Sequence, residues 1–92
     1  MKSIPVKILG YKRSQRYPIK RILIQVQKDL DERHPQIQIE IEEISSADEI
    51  LRYTPVITFP SLMVAGKLVC IGRAPDKMEI LAWIEKEAQI LT

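Results

Sequence analysis

Cysteine, histidine and tryptophan each occur once in the 92 residues, and glycine only three times. With Cys70 alone, no intrachain disulfide forms, and a Cys/His zinc site lacks both the thiolates and the imidazoles it needs. His34 has no Ser, Cys or carboxylate partner at a triad-like place in the sequence, so no catalytic role is assigned to it. No apolar run approaches the ~18–20 residues that cross a bilayer. Residues 1–10 have neither the apolar core nor the small-residue cleavage site of a secretory signal. The expected address is therefore the cytoplasm, with no membrane partner, no metal and no cofactor. Few glycines and no repeats exclude collagen-like and low-complexity classes. A composition of 46% hydrophobic and 28% charged residues excludes disorder. The length suits one domain over residues 1–92.

The net charge of +2 conceals a polarised chain. Residues 1–21 carry seven basic residues (Lys2, Lys7, Lys12, Arg13, Arg16, Lys20, Arg21) and no acid. Residues 22–52 carry three basic and eight acidic residues, and residues 53–92 carry four of each. Such a distribution either steers an anionic partner toward one end or simply solvates a basic loop beside an acidic edge. Nucleic acid is disfavoured: the basic segment interleaves only Tyr11 and Tyr17, and the pI of 8.8 lies below the usual basic-domain signature.

Hydrophobic spacing gives the elements. Residues 4–9 are a β-branched run closed by Gly10, with Pro5 tolerable near a strand start. Residues 11–17 read as a basic connection, and Pro18 suits the first turn of a helix. Ile19, Ile22, Leu23, Val26 and Leu30 then recur at helical spacing, with Tyr17 and Ile24 on the opposite side. The helix should stop near Arg33-His34, because a residue before proline resists the α region. Ile37, Ile39 and Ile41 alternate with Gln38, Glu40 and Glu42, the pattern of an edge strand with one wet face. Glu40, Glu42 and Glu43 then form an acidic strand face, suited either to a hard cation or to protecting the edge from other chains.

Ser46-Ala47-Asp48-Glu49 reads as a capping box opening a short helix to about Arg52. Residues 54–60 are irregular. The apolar runs 61–65 and 67–71 hinge at Ala65-Gly66 as a hairpin. Pro75-Asp76 starts a last helix whose buried stripe is Ile80, Leu81, Ile84, Ala88 and Leu91. Trp83 and Ile90 belong at the core margin. Cys70, inside Leu68-Val69-Cys70-Ile71, reads as a small buried hydrophobe rather than a nucleophile. The order βαβαββα gives a four-stranded mixed α/β sheet: a right-handed βαβ unit, then an antiparallel hairpin, with the first and last helices on one face.

This order, together with Ile8-Leu9-Gly10 at the end of the first strand and the helix after a seven-residue connection, resembles the small thioredoxin-like and glutaredoxin-like proteins of bacteria and archaea, sometimes called small redox-active disulfide proteins. The stretch Phe59-Pro60-Ser61-Leu62-Met63-Val64-Ala65-Gly66-Lys67-Leu68-Val69 is similar to that family's Thr-Pro-x-Leu-x-x-x-Gly-Lys-x-Val. Ile71-Gly72-Arg73-Ala74-Pro75 is similar to its Gly-Lys-x-Pro lead into the last helix. The resemblance implies a thioredoxin-like fold, a cis peptide before Pro60, and a backbone edge there that pairs with an extended peptide or glutathione. It also implies a Cys-x-x-Cys at the start of the first helix. Counting from Gly10, those positions are Arg13 and Arg16, in Arg13-Ser14-Gln15-Arg16.

A guanidinium can be neither the thiolate nor the resolving thiol of dithiol exchange. Arginines at a helix start instead suit carboxylate or phosphate. The expectation is thus a binding or adaptor module without dithiol activity, whose surface comprises Arg13, Ser14, Arg16, Phe59, Pro60 and, farther out, Arg73. Its partner is a protein or a small anionic ligand, and the chain is a monomer or a weak homo-oligomer. Two alternatives stay open: an enzyme of the thiol-disulfide or glutathione-dependent class using the ligand's own thiol, and a structural homo-oligomer contacting through Trp83, Ile90 or Ile24.

Overall fold

The computed structural model describes residues 2–53 and 60–90. Along the chain run β1 (Lys2–Leu9), α1 (Arg13–Arg33), β2 (Ile37–Ile44), α2 (Ala47–Tyr53), β3 (Ser61–Val64), β4 (Lys67–Ile71) and α3 (Lys77–Ile90). They make one four-stranded mixed sheet in the order β2-β1-β3-β4. β1 pairs parallel with β2 and antiparallel with β3, and β3 pairs antiparallel with β4. The sheet is flanked by helices, as the sequence pattern implies.

Period-2 alternation decides which face each strand residue meets. Ile4, Val6 and Ile8 of β1 lie beside Ile39, Ile41 and Glu43 of β2, and Val6 and Ile8 also face Val64 and Leu62 of β3. On this side α1 and α3 close the core with Ile19, Leu23, Val26 and Leu30 from one helix and Ile80, Leu81, Ile84 and Ala88 from the other. Burying such side chains stabilises by about 1.5–3 kcal/mol each. Trp83 packs half-buried at the margin, as its off-stripe position implies. An ion pair from Lys77 to Asp29 (2.7 Å) joins the start of α3 to α1.

The opposite face is not uniformly wet. Leu9, Ile44, Ile50 and Met63 form a second buried cluster, with Ile50 contributed by α2. The face of β2 expected to be polar therefore becomes apolar at its last residue, Ile44. Glu43 turns toward the α1 side while Glu40 and Glu42 face away, so the three glutamates do not share a face. A register irregularity between Leu62 and Met63 in the β3–β4 pairing lets both Val69 and Cys70 join the main core. The hairpin turns at Ala65 (φ 51°) and Gly66 (φ 80°), and only the glycine takes that region without a Cβ penalty.

Two prolines depart from expectation. Pro5 lies inside a central strand rather than at its start. Its carbonyl accepts the Ala65 N–H (2.9 Å) at the hairpin turn, beyond the end of β3, so its missing N–H faces a place where the ladder has ended. Pro18 lies within α1, which begins at Arg13, so residues 13–17 are helical and not a connection. The first turn tightens instead: Lys12 carbonyl accepts from Gln15 N–H at 3.0 Å and from Arg16 N–H at 3.4 Å.

The free edge of β2 has a specific cover. Gln27 on α1 accepts the Ile39 N–H (2.7 Å) and donates to the Ile37 carbonyl (3.4 Å) and to Asp31 (2.9 Å). A carbonyl and the amide two residues later are the groups a further parallel strand would bond, so this carboxamide occupies one rung of an absent neighbour. Gln27→Leu is expected to cost about 1–2 kcal/mol through the orphaned edge amide. It is also expected to promote concentration-dependent self-association in sedimentation velocity. An unchanged urea midpoint and a strictly monomeric variant would contradict this role.

Candidate functional site

The strands end together. Gly10, just past β1, donates its N–H to the Ile44 carbonyl of β2 (3.1 Å). Leu9 lies opposite Ser61, so Gly10 and Pro60 follow as neighbours across the β1–β3 pairing, and Gly72 N–H reaches the Pro60 carbonyl (2.9 Å). Gly72, at φ 75°, turns the chain out of β4 there. The amino end of α1 follows Gly10 at this same edge, so the sheet brings Arg13, Ser14, Arg16, Pro60 and Arg73 to one end of the molecule. Phe59, and with it the expected cis peptide before Pro60, lies outside the described residues.

Arg16 and Arg73 are not open cations. The Arg16 side chain is only 14% exposed, and its Nε donates to Glu43 Oε1 (3.1 Å). Its Nη1 donates to the Gly10 carbonyl (2.7 Å), which ties the first turn of α1 to the end of β1. Lys20 takes the other Glu43 oxygen (3.0 Å). Gly10 fits this closure because a Cβ there would meet Arg16 Cγ at 3.2 Å. Arg73 makes a two-pronged contact with Glu79 (2.9 and 2.7 Å). Glu79 also accepts the Asp76 N–H (3.2 Å) while Asp76 accepts the Glu79 N–H (2.8 Å), a reciprocal capping box at the start of α3.

Arg13 and Ser14 are exposed, and Pro60 is half-buried. Arg13 and Ser14 lie on the first turn of α1, and Arg13 makes no ion pair among the described residues. Gln15 accepts the Lys12 N–H (3.1 Å), but a lysine side chain has no acceptor with which to complete a box. Cys70 is buried on the core side and donates to the Arg73 carbonyl (3.3 Å); burial pushes its thiol up from the ordinary range. It is a poor thiolate at neutral pH, as its apolar surroundings imply.

Both carboxylates are held below their ordinary range. The hydrogen bond from Lys20, then that from Arg16, lowers Glu43. The Arg73 contact, then the Asp76 N–H, lowers Glu79 to about 2. A carboxylate depressed in the folded state contributes stability above its unfolded pKa, near 4.5, that is lost as pH falls through the folded value. The urea midpoint is expected to fall between about pH 4.5 and 2, and less steeply in the Glu43→Gln, Glu79→Gln double variant. Sequence reasoning missed both glutamates as partners. The signals were there: Glu43 keeps the odd-numbered phase of Ile37, Ile39 and Ile41, and Asp76-x-x-Glu79 has the spacing of a capping box.

The thioredoxin domain family's sequence profile matches residues 22–85. The chain belongs to the thioredoxin domain family. Compared with curated proteins, it has no match. The matched segment runs from the second part of α1 into α3 and starts beyond the first turn. The Arg13-Ser14-Gln15-Arg16 stretch thus lies before the part of this thioredoxin domain that the profile covers. Among the described residues, no helix is long and apolar enough to cross a membrane.

Proposed function

We propose that this thioredoxin-domain protein is a binding module without dithiol activity, recognising an acidic group on an extended peptide beside Phe59-Pro60. The observation that carries the reading is Arg13: an exposed guanidinium without an ion pair among the described residues, on the first turn of α1 at the end where Gly10 and Pro60 are neighbours. Unpaired donors of a helix start favour a carboxylate, and a guanidinium adds a planar, charge-assisted contact. Ser14 contributes a hydroxyl alongside. Arg16 and Arg73 serve here as struts, since Glu43 and Glu79 already take their donors. The lone thiol, buried and raised, speaks against exchange through Cys70 itself. A reducing compartment such as the cytoplasm suits such a chain.

The test is amide chemical-shift titration with an extended hexapeptide carrying one central glutamate, against its glutamine analogue. Perturbations are expected at Gly10, Arg13, Ser14 and Ser61. Arg13→Ala is expected to weaken the glutamate peptide about tenfold, the size of a lost charged hydrogen bond, and to leave the glutamine peptide unchanged. Perturbations confined to other parts of the molecule, or equal affinity after Arg13→Ala, would remove the reading.

A further inference from the structure

A small pocket opens between α3 and the β3–β4 hairpin, at the far end of β3 from Pro60. Val64, Val69 and Trp83 give it apolar walls, and Lys67, Lys86 and Glu87 supply its polar groups. Its volume of about 230 Å³ lies below the common range for ligand sites, about 300–1,000 Å³, and suits a body of one ring or one branched chain. The register irregularity between Leu62 and Met63 shapes it, because the extra residue of β4 brings Val69 as well as Cys70 to the α3 side. The polar groups are unevenly satisfied. Glu87, the one acid in this lining, is 16% exposed and accepts from Lys67 (2.9 Å). Lys86 forms no ion pair among the described residues. The residues three and four places from it, Ala82, Trp83, Gln89 and Ile90, include no acid to take its charge, and adjacent Glu85 does not face it. The Trp83 indole N–H likewise has no hydrogen-bond partner among the described residues and is not sealed from solvent. Two cations and one carboxylate leave one positive charge, and Lys86 and Trp83, the side chains without a partner, are both donors.

We propose that this pocket binds a small carboxylate with an apolar body, the body lying against Trp83, Val64 and Val69 and the carboxylate accepting from Lys86. The chemistry of the lining selects that class. A cationic ligand meets a rim that is already net positive. A ligand whose polar head only donates finds Lys86 and the indole offering the same function, and the Glu87 carboxylate already engaged by Lys67. An inorganic anion engages the lysine but leaves the indole and both valines in water, so it forgoes the apolar contribution. A carboxylate on a single ring or branched chain uses both halves of the pocket at once.

Trp83 is the only tryptophan, so its emission reports occupancy of the pocket directly. The experiment titrates phenylpropanoate into the protein, with phenylpropanamide as the uncharged analogue and propanoate as the analogue without the ring. A saturable blue shift is expected at millimolar phenylpropanoate, with affinity about tenfold above that of either analogue. Methyl shifts of Val64 and Val69 are expected to move with it. Lys86→Gln is expected to weaken phenylpropanoate about tenfold and to leave the amide unchanged; Lys86 is exposed, so this variant keeps the fold. Arg13→Ala is expected to change nothing here, which separates the pocket from the strand-end site. No saturable shift, equal affinity for the acid and its amide, or an unaltered affinity in Lys86→Gln overturns the proposal. So does a protein dimer in sedimentation that Lys86→Glu dissociates, because a second copy would then occupy the pocket.

Discussion

Leu23→Ala is expected to lower the free energy of unfolding by about 2–5 kcal/mol, the range for removing a leucine side chain from a close-packed interior. A chain of this length has about 5–14 kcal/mol of total stability, so the variant stands near the threshold of folding. Leu23 is wholly inaccessible and lies mid-way along the α1 stripe that covers β1 and β2 and meets α3. Backbone hydrogen bonds of β1 and β2 hold the walls of that cavity, so it collapses only partly. Ile24, its sequence neighbour, is the internal control: 45% exposed, its truncation is expected to change stability by within about 0.5 kcal/mol. Urea denaturation of the two variants checks both values. Equal midpoints would mean that α1 is not packed on the sheet as described.

The contrast between residues 23 and 24 also shows why so much of the fold was legible in the sequence. A period of 3.6 separates Leu23 from Ile24, and a period of two places Ile37 and Ile39 on one face of an edge strand. Gly66 marks the hairpin because the turn needs φ above zero. Such signals are local, and they fix element type and order. What was not legible depends on contacts far apart along the chain. Glu43 meets Arg16 and Lys20 only because the parallel register sets it beside Ile8, toward α1. Pro18 looked like a helix start because the residues before it lack a buried apolar partner, yet the first turn is held by Arg16 on the Gly10 carbonyl instead. Gln27 reads as an ordinary polar residue until α1 lies against the edge of β2. The candidate site followed the same division. Arg13, Ser14, Arg16, Pro60 and Arg73 lie at one end of the sheet, but the sequence could not show that internal carboxylates already take two of the three arginines.

The exposures of Arg13 and Arg16 lead to a larger expected change, in activity rather than stability. Dithiol exchange needs an attacking thiolate open to its substrate and a second thiol sheltered behind it. Residue 13 is exposed and residue 16 is largely covered, on one turn at the start of a helix. The Arg13→Cys, Arg16→Cys variant is therefore expected to reduce insulin disulfides catalytically with dithiothreitol as the electron source. The wild-type chain, with only a buried thiol, is expected to give no more than the background rate. The introduced thiol at position 13 should titrate below the usual value of about 8.5, since unpaired helix N–H groups favour the thiolate. Losing Arg16 leaves Glu43 with Lys20 alone, and its residual negative charge opposes a neighbouring thiolate. Adding Glu43→Gln is accordingly expected to lower the thiol pKa further and raise the rate at neutral pH. Cys70→Ser in the same background should change neither, because that sulfur faces the core. A folded double variant with an ordinary thiol pKa and no turnover would show that position 13 does not lie where the first turn of α1 favours a thiolate.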